Sequence, residues 1–178
     1  MKPIVLGFAG SIASGKSTLS IDVALSLGWQ RVSFGDYVRT VAQRQELGES
    51  REVLQAVGES LVKKGIEQFC RAVLAQVDSE PGQPLVIDGI RHAETVSILR
   101  WLVAPSELLL VFVAVNESTR KTRLAQRGLT DYELRQQFER HSTEAQVRTV
   151  LRGMADFTVD STRKIEELVK EIVTWVQQ

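Results

Sequence analysis

Between positions 10 and 17 the chain reads Gly10-Ser11-Ile12-Ala13-Ser14-Gly15-Lys16-Ser17, which meets the phosphate-binding pattern G-x-x-x-x-G-K-[ST] at every fixed position. The two glycines let the backbone curl until successive N–H groups converge on one anion. A helix starting near Lys16 would add its positive end. In this pattern Lys16 reaches the β- and γ-phosphates and the Ser17 hydroxyl ligates Mg²⁺. Gly10, Ser11, Ala13, Ser14, Gly15, Lys16, Ser17 and Thr18 are therefore the expected cradle for a nucleoside triphosphate, taken as ATP.

Other residues carry chemistry that suits a phosphate. Asp88 closes the apolar run Pro84-Leu85-Val86-Ile87, the position of a second metal-holding carboxylate in phosphate-loop enzymes. Arg91 follows three residues later, where a guanidinium could grip an acceptor phosphate. Arg51, Gln55 and Glu59 fall four apart and share one face of a helix. The basic residues are 15 Arg against 7 Lys, and seven of those arginines lie between Arg120 and Arg152. Phosphoryl transfer spreads negative charge over three equatorial oxygens, and arginine stabilises that charge well. Two or three of the seven are expected to serve a reaction and the rest to be solvated.

Elements must bring these groups together. Pro3 to Ala9 has strand length and apolarity, and Leu19, Val23 and Leu27 then recur at helical spacing up to Gly28. Gln30 to Phe34 reads as a second strand closing at Gly35-Asp36. Helices follow over 37–47, from Arg51, and over 66–77. Pro84 to Ile87 reads as a third strand and His92 to Leu102 as a helix. Leu108 to Val115 is continuously apolar, as suits a parallel strand buried on both faces. Asn116 is placed to cap a helix that stops at Gly128, and 130–152 reads as one or two polar helices. Phe157 to Asp160 is a last short strand. Ile165, Leu168, Val169, Ile172, Val173 and Val176 form a full apolar helix face. Five strands alternating with helices imply an α/β protein with a parallel sheet covered on both faces. The phosphate-binding loop between its first strand and first helix makes the expected fold a three-layer nucleoside-triphosphatase fold of the phosphate-loop type with a five-stranded parallel sheet. Ligands of such sheets lie beyond the carboxyl ends of the strands. The loop, Asp36 and Arg39, Asp88 and Arg91, and Asn116 and Arg120 all fall there.

Composition narrows the function. The length of 178 residues suits one domain, and 43% hydrophobic with 25% charged residues describes an ordinary globular chain. Net charge is zero, which favours neither nucleic acid nor a membrane surface as partner. One cysteine, Cys70, excludes an internal disulfide framework and reads as a buried structural thiol. Lys2-Pro3 runs straight into the first strand, so no signal peptide is expected, and the longest apolar run is too short for a bilayer. The expected location is cytoplasmic.

Together these segments resemble the nucleoside monophosphate kinases of the adenylate kinase type and their relatives in the dephospho-CoA kinase group. The resemblance rests on Gly10 to Ser17, on Phe34-Gly35-Asp36-Tyr37-Val38-Arg39, on Ile87-Asp88-Gly89-Ile90-Arg91, and on Arg123 and Arg127. It implies that Arg39 and Arg91 hold an acceptor phosphate and that Asp88 serves the metal's water shell. It also implies that Arg123 and Arg127 open a lid and act in catalysis beside Lys16. Asp36 would orient its neighbours for a phosphate acceptor, or take the proton of a sugar hydroxyl as in dephospho-CoA kinases. The segment from Arg51 to Leu61 resembles phage-type deoxynucleoside monophosphate kinases, so Arg51 and Gln55 are expected on the acceptor side. Residues 1–36, 79–127 and 153–178 would form the core, 37–78 an acceptor-binding helical subdomain and 128–152 a short lid. The implied activity is transfer of the γ-phosphoryl group of ATP, with Mg²⁺, to a small nucleotide, most naturally a (deoxy)nucleoside monophosphate. A nucleotide-driven switch with a protein partner is the competing class. A monomer or small homo-oligomer is expected.

Overall fold

The computed structural model describes residues 2–78, 82–128 and 147–178. Strands β1 (Ile4–Gly10), β2 (Gln30–Ser33), β3 (Leu85–Ile90), β4 (Glu107–Ala114) and β5 (Phe157–Asp160) form a five-stranded sheet in the order β2-β3-β1-β4-β5. Every pairing is parallel. The helices are α1 (Lys16–Leu27), α2 (Phe34–Arg44), α3 (Arg51–Lys64), α4 (Ile66–Leu74), α5 (Ala93–Leu102), α6 (Glu117–Gln126), α7 (Arg152–Met154) and α8 (Ile165–Val176). A π-helical turn, Val147–Leu151, leads into α7.

The layers follow from strands that are apolar on both faces. Val5, Ile87, Ile90, Leu110 and Phe112 point to one side, against Phe69, Cys70 and Val73 of α4, Val96 and Leu99 of α5, and Val147 and Leu151. Leu6, Phe8, Val86, Val111 and Val113 point to the other, against Leu19 and Val23 of α1 and Leu168, Ile172 and Val176 of α8. Burying each such side chain contributes about 1.5–3 kcal/mol, so both helix layers are held by the same strands. Burial also pushes the Cys70 thiol up to about 11, which keeps it protonated and inert at neutral pH. Among the described residues no helix is long and apolar enough to cross a membrane.

Strands β2 and β3 lie on one side of β1, and β4 and β5 on the other. The chain reverses direction of growth at β1, which opens a crevice at that strand's carboxyl end. Two boundaries there differ from the expectation, and both concern site residues. Strand β2 stops at Ser33 and does not include Phe34. The Ser33 hydroxyl accepts from the Asp36 N–H at 3.2 Å and starts α2. Asp36 thus lies in the first turn of a helix, its negative charge beside the positive helix end, and not in a turn that closes a strand. Strand β3 runs through Asp88 to Ile90, so Asp88 is inside the strand. Phe8 pairs with Asp88 and Ala9 with Ile90, leaving Gly89, at φ 90°, as the bulged residue. Helices α2 and α4 also end earlier than periodicity suggests, at Arg44 and Leu74.

Candidate active site

The turn from β1 into α1 forms the cradle. A Cβ at Gly10 would lie 2.7 Å from the Val113 carbonyl oxygen and 2.8 Å from Ser14 Oγ, so only glycine lets the loop leave the sheet so close to β4. Gly15, at φ 84°, caps α1 with no side-chain acceptor. No acidic residue occupies the first turn of α1 either. Its leading N–H groups are left for an anion, as the motif's mechanism requires. Ser14 is buried, and its hydroxyl has no hydrogen-bond partner among the described residues. Lys16 is 7% exposed, while Ser17 and Thr18 are exposed at the helix start. The loop's amides, Lys16 and the open Ser14 hydroxyl fit a polyphosphate.

Asp88 sits one strand away, opposite Phe8 and two residues before the loop begins at Gly10. Its Oδ2 accepts from Arg31 Nη2 at 2.7 Å, and its Oδ1 is buried with no partner among the described residues. An unpaired buried carboxylate oxygen costs free energy unless something meets it. A magnesium ion, or its water shell, fits that position. Among the described residues no group of three or more metal-ligating side chains forms. Magnesium commonly takes one or two carboxylates and leaves its other positions to phosphate and water.

No sequence motif marks Arg31, yet it is the residue around which this side of the crevice is built. It bridges Asp88 to Asp36, whose Oδ2 lies 3.2 Å from Arg31 Nη1. Asp36 Oδ1 in turn accepts from Arg39 Nη1 at 2.7 Å. Both oxygens of Asp36 are therefore held by guanidinium groups. Arg91, just past β3, is exposed and makes no ion pair or hydrogen bond among the described residues. Burial, with the nearby charge of Arg91 second, lowers the pKa of His92, so the imidazole adds no charge beside that arginine at neutral pH. Tyr37 of α2 and Phe34 pack on Phe69 of α4, with ring centroids 5.8 and 5.1 Å apart. These contacts seat the α2–α4 helices at the edge of the crevice. On α3, Arg51 and Gln55 are half-buried, and Gln55 donates to Glu59 at 3.1 Å.

Arg123 departs from expectation. The resemblance implies a lid arginine that meets developing charge, but its guanidinium lies under the loop. Nη1 donates to the carbonyls of Ala13 at 3.2 Å and Ser14 at 3.1 Å and to Ser161 Oγ at 3.0 Å, and Nη2 donates to the Ser161 carbonyl at 2.7 Å. Ala13 adopts φ 63°, a conformation non-glycine residues hold only when their surroundings over-determine it. Arg123 supplies that constraint by tying the loop to the end of β5. Arg123→Ala is therefore expected to weaken nucleotide binding about tenfold and to lower stability by roughly 1–3 kcal/mol. Arg123→Lys should restore little of either, because an ammonium lacks the planar fork. A fluorescent nucleotide titration and a urea melt check this, and wild-type values for both would refute it.

Arg127 is exposed at the end of α6. Arg120 of the same helix is 1% exposed and pairs with Glu117 at 3.3 Å. With Ser11 and Arg152 these two residues line a cavity of about 100 Å³ beside the loop. Most of the lid expected over 128–152 lies outside the described residues, as do Arg135 and Arg140.

A family model described as an AAA domain matches residues 6–147. The chain is 31% identical over 175 residues to the UPF0200 protein of Pyrobaculum aerophilum, covering 94% of each. The shikimate kinase of Bacteroides thetaiotaomicron superposes with a TM-score of 0.62 at 16% identity, covering 98% of this chain and 99% of that one. The Mycobacterium tuberculosis APS kinase, solved with AMPPNP and APS, gives 0.57 at 16% identity over 99% of both chains.

Proposed function

The chain belongs to the AAA domain and UPF0200 families and has the fold of the P-loop kinases, and on that footing we propose that it transfers the γ-phosphoryl group of ATP to a (deoxy)nucleoside monophosphate. Bound magnesium would supply positive charge against the negative charge of the phosphoryl group as it moves. The chain's own part is positioning and electrostatics. The amides of Gly10 to Ser17 and the Lys16 ammonium orient the donor phosphates, and Ser17 and Asp88 hold the metal or its water. Arg39 and Arg91 bind the acceptor phosphate, with Arg51 and Gln55 on the acceptor side. Arg127 remains the lid arginine of this reading.

The observation that carries the choice of acceptor is the state of Asp36. A general base needs a free oxygen aimed at the proton it takes. Both oxygens of Asp36 are engaged by Arg31 and Arg39. That favours an orienting carboxylate, and an orienting carboxylate suits an acceptor that needs no deprotonation. A phosphate monoester meets that condition, its second pKa being about 6. The structural neighbours share the fold at too low an identity to carry their acceptors over.

The test is Asp36→Asn, assayed for ADP formation against a panel of nucleoside monophosphates and of hydroxyl acceptors such as dephospho-CoA. The expected result is activity on a monophosphate that falls about tenfold or less, mostly through the acceptor KM. Activity on a hydroxyl acceptor alone, lost entirely in Asp36→Asn, would establish the sugar-hydroxyl reading in its place. ATP hydrolysis indifferent to every acceptor would point instead to a nucleotide-driven switch.

A further inference from the structure

The Arg31 guanidinium spends each of its nitrogens on a different element. Nε donates to Ser20 Oγ on α1 at 3.0 Å, Nη1 to Asp36 Oδ2 on α2 at 3.2 Å, and Nη2 to Asp88 Oδ2 on β3 at 2.7 Å. Ser20 is itself fixed, its hydroxyl donating to the Ser17 carbonyl at 2.8 Å. Arg31 therefore touches the residue that anchors Ser17, the carboxylate beside the loop, and the carboxylate that holds Arg39. Charges alternate along the row Asp88, Arg31, Asp36, Arg39, which runs from the donor side of the crevice to the acceptor side.

We propose that Arg31 is a positioning residue that aims one oxygen of Asp88 at the metal and couples that metal site to the acceptor-side pair Asp36 and Arg39. This rests on Asp88 serving magnesium, as in the function proposed above. A carboxylate side chain can turn about its own axis. Arg31 stops that by holding Oδ2, which leaves the buried Oδ1 as the oxygen with no partner among the described residues, and so the one left for a ligand. The two ends of the row differ in environment. The Asp88 side chain is 4% exposed and the Asp36 side chain 50%. The inner ion pair is thus weakly screened and rigid, while the outer one is open to solvent and to an acceptor. When an acceptor anion draws Arg39 away from Asp36, Asp36 is left to Arg31 alone, and the balance between the two carboxylates that share Arg31 shifts. Coupling of this kind is reciprocal, so loading the metal site changes acceptor affinity by the same factor. A lysine could keep the charge but could not serve three acceptors on three elements at once.

The test measures Mn²⁺, as a spectroscopic substitute for Mg²⁺, binding to the full chain with a non-hydrolysable ATP analogue, by electron paramagnetic resonance. Affinity for the analogue in EDTA is measured alongside it. Arg31→Met should weaken Mn²⁺ binding about tenfold or more, the range seen when outer-shell partners of metal ligands are removed, with analogue affinity in EDTA unchanged. Arg31→Lys should recover less than half of that loss on a logarithmic scale. Asp36→Asn touches neither Asp88 nor the loop, yet should change Mn²⁺ affinity about threefold or more in the wild-type background and not in Arg31→Met. Full recovery by Arg31→Lys would overturn the positioning role. An Asp36→Asn effect that is absent, or equal in both backgrounds, would overturn the coupling. Should Arg31→Met fail to fold, Arg31→Lys takes its place. Wild-type Mn²⁺ affinity in Arg31→Lys then overturns the positioning role, and an Asp36→Asn effect that is absent, or equal in the wild-type and Arg31→Lys backgrounds, overturns the coupling. Asp88→Asn separates this inference from its premise. If that variant weakens Mn²⁺ binding and Arg31→Met does not, only the inference fails, whereas wild-type Mn²⁺ affinity in Asp88→Asn removes the premise and the inference together.

Discussion

Lys16→Ala should turn over ATP about 100- to 1,000-fold more slowly than the wild-type chain, the loss that follows removal of one preorganised donor from a charge-stabilising site. Lys16 opens α1 directly after Gly15, at the positive end of the helix. In the proposed reaction its charge would add to the loop's amides where the transferring group passes, so its removal should act on kcat more than on nucleotide affinity. The fold should survive the change. Lys16 is buried against the loop, but it belongs to neither apolar layer that holds the sheet. Alanine also favours helix at this position. Coupled-enzyme ADP release with the best acceptor, beside a circular-dichroism melt, separates chemistry from stability. Wild-type turnover in Lys16→Ala would remove the central claim, and a collapse of the melt would show that Lys16 is needed for folding.

Asp88→Asn is expected to cost about 100-fold in magnesium-dependent turnover and to shift the magnesium optimum upward. The amide keeps the shape and an oxygen that can accept from Arg31, but it loses the charge that draws a divalent cation. The variant leaves Arg31 with a full charge partner only at Asp36, so a loss of stability of roughly 1–3 kcal/mol accompanies the loss of rate. Rates measured from micromolar to tens of millimolar Mg²⁺ check the expectation. A wild-type magnesium curve in the Asp88→Asn variant would show that Asp88 serves only the ion pair with Arg31.

Some of this molecule is open to reading because the physics is local. The eight residues from Gly10 to Ser17 fix their own backbone geometry, since glycine spacing and a following helix are both contiguous in the chain. The last strand, Phe157–Asp160, coincides with its expected bounds, and the last helix, Ile165–Val176, spans the apolar face expected of it. An isolated apolar pair flanked by turn residues and a full 3.6-residue face leave little room for alternatives. The start of α2 is also written in the sequence, but a competing pattern hides it. Ser33 followed three residues later by Asp36 is the signature of a helix N-terminus, whereas the apolar Phe34 between them extends the strand by pattern alone. Gly89 misleads in the opposite way. A glycine after an apolar run reads as a turn, whereas Ile90 beyond it still pairs with β1 across the bulge.

The roles of Arg31 and Arg123 belong to the tertiary structure. Arg31 meets partners 11, 5 and 57 residues away, and Arg123 meets the loop from 109 and 110 residues away. Hydrophobic periodicity says that a segment is a strand or a helix and which of its faces is buried, but not which element will lie beside it. That is settled by strand order, and β3 inserts between β1 and β2 although β2 precedes it in the chain. The insertion sets Asp88 level with Ser33 on one side and with Phe8 on the other. Amino-acid order alone thus determined a phosphate cradle and the layers that carry it. Which arginine would hold the carboxylate, and which would brace the loop, was decided only when the sheet closed around β1 and brought polar groups from distant segments within hydrogen-bonding distance.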